Sequence, residues 1–318
     1  MSKVTFLNPK TCGIYKDGGP RYKTDPATGR RTTQIDNELI EQVDAYLEGR
    51  ADAGATEVTL DTVFGRGVLV PTYYDDRYND AFRKAVADMD VESVTLGELI
   101  DGGTIAVRGG HGSPGNDQRS GHIPYVKVSD IRGLRVNINP TNLVTDSVAR
   151  RFWRGPSSGL EEWDVITPNR ASSNIGEFAI LLPGEEQVVV TKEVFVFRVL
   201  KDDLLDPFYL LWALSLQCVR EQWRRVALMQ TNREDCGSRY REVMIPMPPS
   251  KEWAREQSAA FRDYFKSVAD AKARFVEQTQ TDGLAYVANV KAAVAMADGD
   301  VEPEDEPETK PKRKTRKK

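Results

Sequence analysis

The sequence predicts a mixed α/β protein that ends in a long, coiled-coil-like helix and a disordered, charged tail. Three observations carry this. Short β-branched runs alternate with Gly-, Asn- and Pro-bearing loops between residues 92 and 249. Apolar residues recur at helical spacing on either side of that region. Beyond Asp298 the composition collapses to Pro, Glu and Lys, which cannot bury enough apolar surface to fold.

Taken in order, residues 1–50 open with the turn-rich stretches Cys12–Pro20 and Asp25–Gly29 and close in a helix at Glu38–Leu47, where Leu39, Val43 and Leu47 share a face. A strand is expected at Thr56–Leu60, followed by the segment Gly67–Pro71 and a helix from Asp80 to about Ala87. The expected strands of the central region are Thr104–Arg108, Ile123–Val128, Asp164–Thr167, Phe178–Leu182, Val188–Val190 and Val194–Val199. One helix is predicted from Pro207 through Val226, with Pro207 in its first turn and Leu210, Leu211, Leu214, Val219 and Trp223 on its apolar face. Residues 250–297 read as a long helix or a broken pair, interrupted near Gly283, with Phe261, Phe265, Val268 and Phe275 forming an a/d seam. The implied division is 1–90, 92–249, 250–297 and a disordered tail, 298–318.

With 318 residues and 40% hydrophobic content the chain can bury a substantial core and has room for about two domains. Cys12, Cys218 and Cys236 are too scattered for a metal or redox pair, which suits a reducing cytoplasm. No apolar run is long enough to span a membrane, and Asn8-Pro9-Lys10 follows Met1 too soon for a signal peptide. A net charge of −4 argues at first against nucleic-acid binding. Acidic residues crowd the first part and Glu302–Glu308, however, whereas Arg108, Arg119, Lys127, Arg132, Arg135, Arg150, Arg151, Arg154 and Arg170 fall in the central region and leave room for a local basic face.

Several enzyme signatures fail on context. Gly110-His-Gly-Ser-Pro-Gly115 satisfies the dinucleotide pattern G-x-G-x-x-G, but Gly121 and Pro124 leave no space for the helix whose N-terminus would receive a pyrophosphate. Asp61–Gly67 is Gly-rich like a methyl-donor loop, yet no Asn/Asp-Pro-Pro-aromatic motif is present to hold a target amine. His111 and His122 are the only histidines, too few for a His-rich metal site or a hydrolytic triad.

The stretch Gly121-His-Ile-Pro-Tyr-Val-Lys-Val-Ser-Asp-Ile131 follows Val94-Thr-Leu-Gly-Glu-Leu-Ile100 and a Gly-rich loop. Later come Trp163–Ile166, Asn169–Gly176, Phe178–Leu182, Asp206–Trp212 and the exit Ile245-Pro-Met-Pro-Pro249. In order and spacing, across roughly half the chain, these segments resemble the target-recognition domain of a type I restriction-modification specificity subunit. Cys12–Leu47 is similar to the C-terminal part of an N6-adenine DNA methyltransferase, and Leu69–Asp75 to the connector that precedes a fused recognition domain.

The resemblance implies a non-catalytic subunit that recognises double-stranded DNA and directs a partner N6-adenine methyltransferase in a restriction or phage-defence system. It carries no cofactor of its own, S-adenosylmethionine being expected on the partner. A restriction or defence subunit is a further expected partner. Within that reading the DNA-contact candidates are Arg108, Arg119, His122, Lys127, Arg170, Asn174, Asn232, Arg233 and Arg239, because loop arginines can fork to guanine and asparagines to adenine. Arg220, Arg224 and Arg225 read as the solvated face of their helix. Phe261, Phe265, Val268 and Phe275 are the partner-binding candidates, for a subunit helix or a homodimer. A split N6-adenine methyltransferase fragment and a protein-interaction adaptor remain the alternatives.

Overall fold

The computed structural model describes residues 2–50, 54–139, 141–170, 173–201, 204–228 and 235–281. Asn232, Arg233, Gly283 and the tail lie outside them. The chain divides into two units, Met1–Ala269 and Asp270–Lys318. Of the second, residues 270–281 are described, and they are helical.

The first unit is built on a four-stranded antiparallel sheet in the order Ala179–Ile180, Val165–Pro168, Val194–Val199, Ile105–Gly109. Alternation along the strands sends Val165, Phe197, Ile180 and Ile105 to one face and Ile166, Val196, Val194 and Ala179 to the other. Both faces are covered, so these strands read as continuous apolar runs instead of alternating ones. The first face packs on Leu96, Leu99, Phe208, Leu211, Leu214, Trp223 and Phe265. The second packs on Val126, Ile131, Leu160, Val188 and Val190. Val126 belongs to a smaller sheet in which Ile123–Val126 pairs antiparallel with Leu143–Val144 and parallel with Val189–Val190. The helix Asp146–Trp153 covers that sheet through Ala149, Val148 and Phe152.

Local chemistry accounts for the element ends. Thr95 and Glu98 form a reciprocal capping box, Thr95 N–H donating to the Glu98 carboxylate (2.8 Å) and Glu98 N–H to Thr95 Oγ1 (3.1 Å), which starts the helix Leu96–Asp101. The carboxylate of Asp206 accepts from the N–H groups of Phe208 and Tyr209, and Pro207 at the first position adds no unsatisfied donor. The expected single helix Pro207–Val226 is two helices, Pro207–Ser215 and Gln217–Val226, because Leu216 is extended with ψ 133°. The break lets both pieces bury residues at once: Leu210, Leu211 and Leu214 in the first, Val219 and Trp223 in the second. The expected Phe178–Leu182 strand pairs only over Ala179–Ile180, although all five residues are buried. The C-terminal helix is broken at Ser258 into Lys251–Gln257 and Ala259–Thr281.

The first and last strands of the central region close on each other, Met244–Met247 pairing with Glu92–Thr95. Gln222 is fully buried beside them, and its amide both donates to the Met244 carbonyl (2.8 Å) and accepts from its N–H (2.9 Å), so the outer edge of Met244 is paired without a third strand. Residues 2–90 form the pair Lys3–Leu7 and Ala55–Thr59, displaced by one residue from the expected Thr56–Leu60. They also form a hairpin, Tyr22–Thr24 with Arg31–Ile35, and helices that include Glu38–Leu47, Leu60–Arg66 and Arg77–Met89. Phe6, Val63, Val68, Tyr73 and Tyr74 make a separate small core, with Phe6 and Tyr74 stacked at 4.4 Å.

Candidate nucleic-acid interface

Gly109, Pro168 and Val194 lie at one end of the four-stranded sheet, since Gly109 pairs with Phe195 and Pro168 with Val194. The loops 110–122, 169–178 and 191–193 therefore leave from that end. Two further segments are tied to them. Thr191 N–H donates to the Val126 carbonyl (2.9 Å), which sets the start of the 127–142 excursion beside the 191–193 turn, and Asn174 Nδ2 donates to Val128 O (3.0 Å). Cys236 N–H donates to Asn169 O (2.7 Å) and brings in the segment from Asp235. Segments far apart in sequence thus meet at one end of a rigid sheet, the arrangement in which variable contacts are best held.

The structure sorts the candidate residues by what their side chains already hold. Arg170 is paired with Glu193 (2.6 Å) and Asp235 (3.4 Å) across this end. Asn174 is 3% exposed, and its amide holds the 127–142 segment in place and accepts from Ser173. Arg239 donates to the carbonyls of Val226 and Asp235. Arg119 donates to Pro114 O (3.2 Å) and lies over the Tyr125 ring. Arg108 points inward to Ser158 O. His122 is 3.1 Å from Asp146, at the opposite end of its strand from Val126. Lys127 has no carboxylate partner among the described residues and lies near the Tyr125 ring, its backbone N–H capped by the Asp130 carboxylate. Arg220 and Arg225, expected on a solvated face, are paired with Glu177 (2.7 Å) and Glu242 (3.1 Å); Arg224 is exposed. Both guanidiniums anchor their helix to neighbouring segments.

Among the described residues, Lys127 and Lys192 at this end carry no salt bridge, and neither do Arg132 and Arg135, which flank the two-residue turn of a hairpin docked along the Ala179–Ile180 edge through Leu134. In the sequence Arg132 and Arg135 register as local charge, with no contact assigned to them. The signal was the pattern Ile-Arg-Gly-Leu-Arg-Val, alternating about a Gly-containing turn of hairpin length.

The Gly-rich loop is a packing device. A Cβ on Gly110 would collide with the Thr191 carbonyl, so only glycine lets the loop lie against that turn. Its His111 is spent internally: Nδ1 accepts from Val190 N–H (3.0 Å) and Nε2 lies 2.9 Å from Ser158 O. Val190 N–H can donate only to an unprotonated Nδ1, so the ring is the neutral Nε2–H tautomer. Burial pushes its pKa below the usual histidine value, outweighing the Ser158 hydrogen bond. A depressed histidine pKa adds stability that is fully present above the unfolded value of about 6.5 and is lost as pH falls through it towards the folded value. The urea midpoint of the wild type is therefore expected to drop between pH 7.5 and 5.5 by more than that of His111→Gln; parallel curves would remove His111 as the cause.

Among the described residues no cluster of His, Cys, Asp and Glu could hold a metal ion, and no helix is long and apolar enough to cross a membrane. No family model matches the sequence, and no curated protein matches it. Solved structures similar to this chain include the HsdS subunit from Thermoanaerobacter tengcongensis, at 14% identity over 79% of this chain and 59% of that chain, with a TM-score of 0.37. A type I restriction-modification system S subunit from M. genitalium is similar at 11% identity over 65% of this chain and 50% of that chain, with a TM-score of 0.36. The type IIG restriction endonuclease BpuSI is similar at 10% identity over 70% of this chain and 33% of that chain, with a TM-score of 0.41. The chain spans 59%, 50% and 33% of the length of these proteins. At such identities the functional reading rests on this chain's own residues.

Proposed function

We propose that this chain is a non-catalytic DNA-recognition subunit that selects a short duplex element for a partner N6-adenine methyltransferase in a restriction or phage-defence system. The observation that carries the reading is the convergence of loops 110–122, 169–178 and 191–193 and the start of the 127–142 excursion at one end of a sheet covered on both faces. Lys127 and Lys192 there carry no salt bridge among the described residues, and neither do Arg132 and Arg135 on the hairpin along the adjoining Ala179–Ile180 edge. Phosphate neutralisation needs clustered cations, and base readout needs polar side chains on rigid loops. Arg170, held in a fork between two carboxylates yet 37% exposed at its side chain, is the base-reading candidate of this set. Methyl transfer is assigned to the partner, which supplies S-adenosylmethionine and flips the adenine.

Residues 2–90 support a docking role. The helix Glu38–Leu47 buries Gln42 and Ala45 but turns Leu39, Ile40, Tyr46 and Leu47 outward, Leu47 at 76% exposure, beside Glu38, Glu41 and Asp44 with no base on the helix. This face suits an apolar surface with a basic rim on the methyltransferase. Homodimerisation through the C-terminal helix remains a further expectation, for which Phe275 is the exposed residue of the seam.

The test is methylation at base resolution in the native host with and without the gene, followed by reconstitution. Loss of N6-methyladenine at one motif is expected, with no transfer by the purified chain alone and recovery when the partner is added. Leu47→Asp should block that recovery while leaving duplex binding intact. An unchanged methylome, or a motif that stays the same when residues 92–249 are exchanged for another recognition domain, would place specificity elsewhere.

A further inference from the structure

We infer that the hairpin Ile131–Arg132 with Arg135–Val136 is a phosphodiester-binding fork whose two tines are Arg132 and Arg135. The inference rests on the DNA-recognition reading and names a contact site within it. Arg132 and Arg135 are direct cross-strand partners, as are Ile131 and Val136. Ile131 is fully buried and Val136 packs against the same cluster. Strand alternation therefore puts both arginines on the opposite, outer face, where both are exposed.

Like charges directly opposite one another destabilise a strand pair. Here no described residue relieves the repulsion. No carboxylate lies within salt-bridge distance of either guanidinium among the described residues, and the acid nearest in sequence, Asp130, is buried with its oxygens accepting from Lys127 N–H and Ser129 Oγ. An arginine pair kept apart from every acid of the described residues is arranged for an anion from outside. Planar guanidiniums about 5 Å apart at Cα can close together on the oxygens of one phosphate or of neighbouring ones.

The hairpin is also held rigidly at some cost. Its turn residues, Gly133 at φ 55° and Leu134 at φ 65°, are both left-handed, the form that matches the twist of a two-residue hairpin. Glycine adopts this freely, whereas a leucine there is strained by roughly 1–2 kcal/mol. Tertiary contacts hold Leu134 in place: its side chain packs on the main core, and its carbonyl accepts from Ile180 N–H (3.3 Å). Asn137 N–H donates to Asp130 O (2.8 Å) just beyond the second strand. The two arginines therefore project from a fixed base along the Ala179–Ile180 edge of the sheet, which favours a backbone clamp over a mobile, non-specific cation.

The experiment measures binding of the full chain to two fluorescent duplexes, one carrying the methylated motif and one scrambled, over a salt series. Wild type is compared with Arg132→Ala/Arg135→Ala and with Arg150→Ala/Arg154→Ala, which removes equal charge from exposed positions elsewhere. The fork variant should bind both duplexes more weakly by the same factor, and its slope of log affinity against log salt should shrink by about two, one for each lost phosphate contact. Its thermal midpoint should stay level or rise, since a like-charge pair is removed. Equal effects from the control pair would reduce the fork to net charge, and a loss confined to the motif duplex would make the pair a base reader; either result overturns the proposal. Unchanged binding by the fork variant overturns it and leaves the recognition reading standing, whereas a wild type that binds neither duplex overturns both.

Discussion

Phe265→Asp should unfold the first unit, while Phe275→Asp should leave its stability unchanged. Both residues sit on the a/d seam that sequence spacing assigns to a partner. Phe265 is 1% exposed, however, and belongs to the same buried core as Phe208 and Leu211, with Phe261 and Val268 partly buried against that core. Truncating a buried Phe costs about 3–5 kcal/mol, and a carboxylate in its place adds the desolvation of a charge, against a total stability of about 5–15 kcal/mol for a typical domain. Phe275 is 52% exposed and makes no such contribution. Urea titration followed by tryptophan fluorescence reads the difference directly. A folded Phe265→Asp protein with a wild-type midpoint would show that the seam is not internal packing.

The second large effect is expected at Arg198. Its guanidinium grips Asp164 through Nε (2.8 Å) and Nη2 (2.7 Å), and also reaches Glu161 and the Gly159 carbonyl. The Asp164 side chain is 1% exposed. Removing one partner of a buried pair leaves an uncompensated charge, so Arg198→Ala should cost about 3–5 kcal/mol. Replacing both partners by apolar residues, Arg198→Met with Asp164→Leu, removes the stranded charge and should recover much of the loss. If the double variant is no more stable than Arg198→Ala, the damage comes from lost packing along the arginine stem or from the Glu161 N–H that Asp164 also accepts (2.9 Å), and not from a stranded carboxylate.

What the sequence determined by itself is local. The β-branched run Val194–Val199 has no other comfortable conformation and forms a strand over those same residues. The caps at Thr95–Glu98 and Asp206–Pro207 act over three or four residues, so they too are readable in order along the chain. Tertiary structure decided which charges and rings remain available. Arg170 finds Glu193 and Asp235, and Asn174 finds Val128 O, across separations that no periodicity records, whereas Arg132 and Arg135 meet no acid among the described residues. The same reason separates Phe265 from Phe275 on one seam and breaks the Pro207–Val226 helix at Leu216. Helical spacing states which residues share a face; only the packing of distant elements states whether that face is covered.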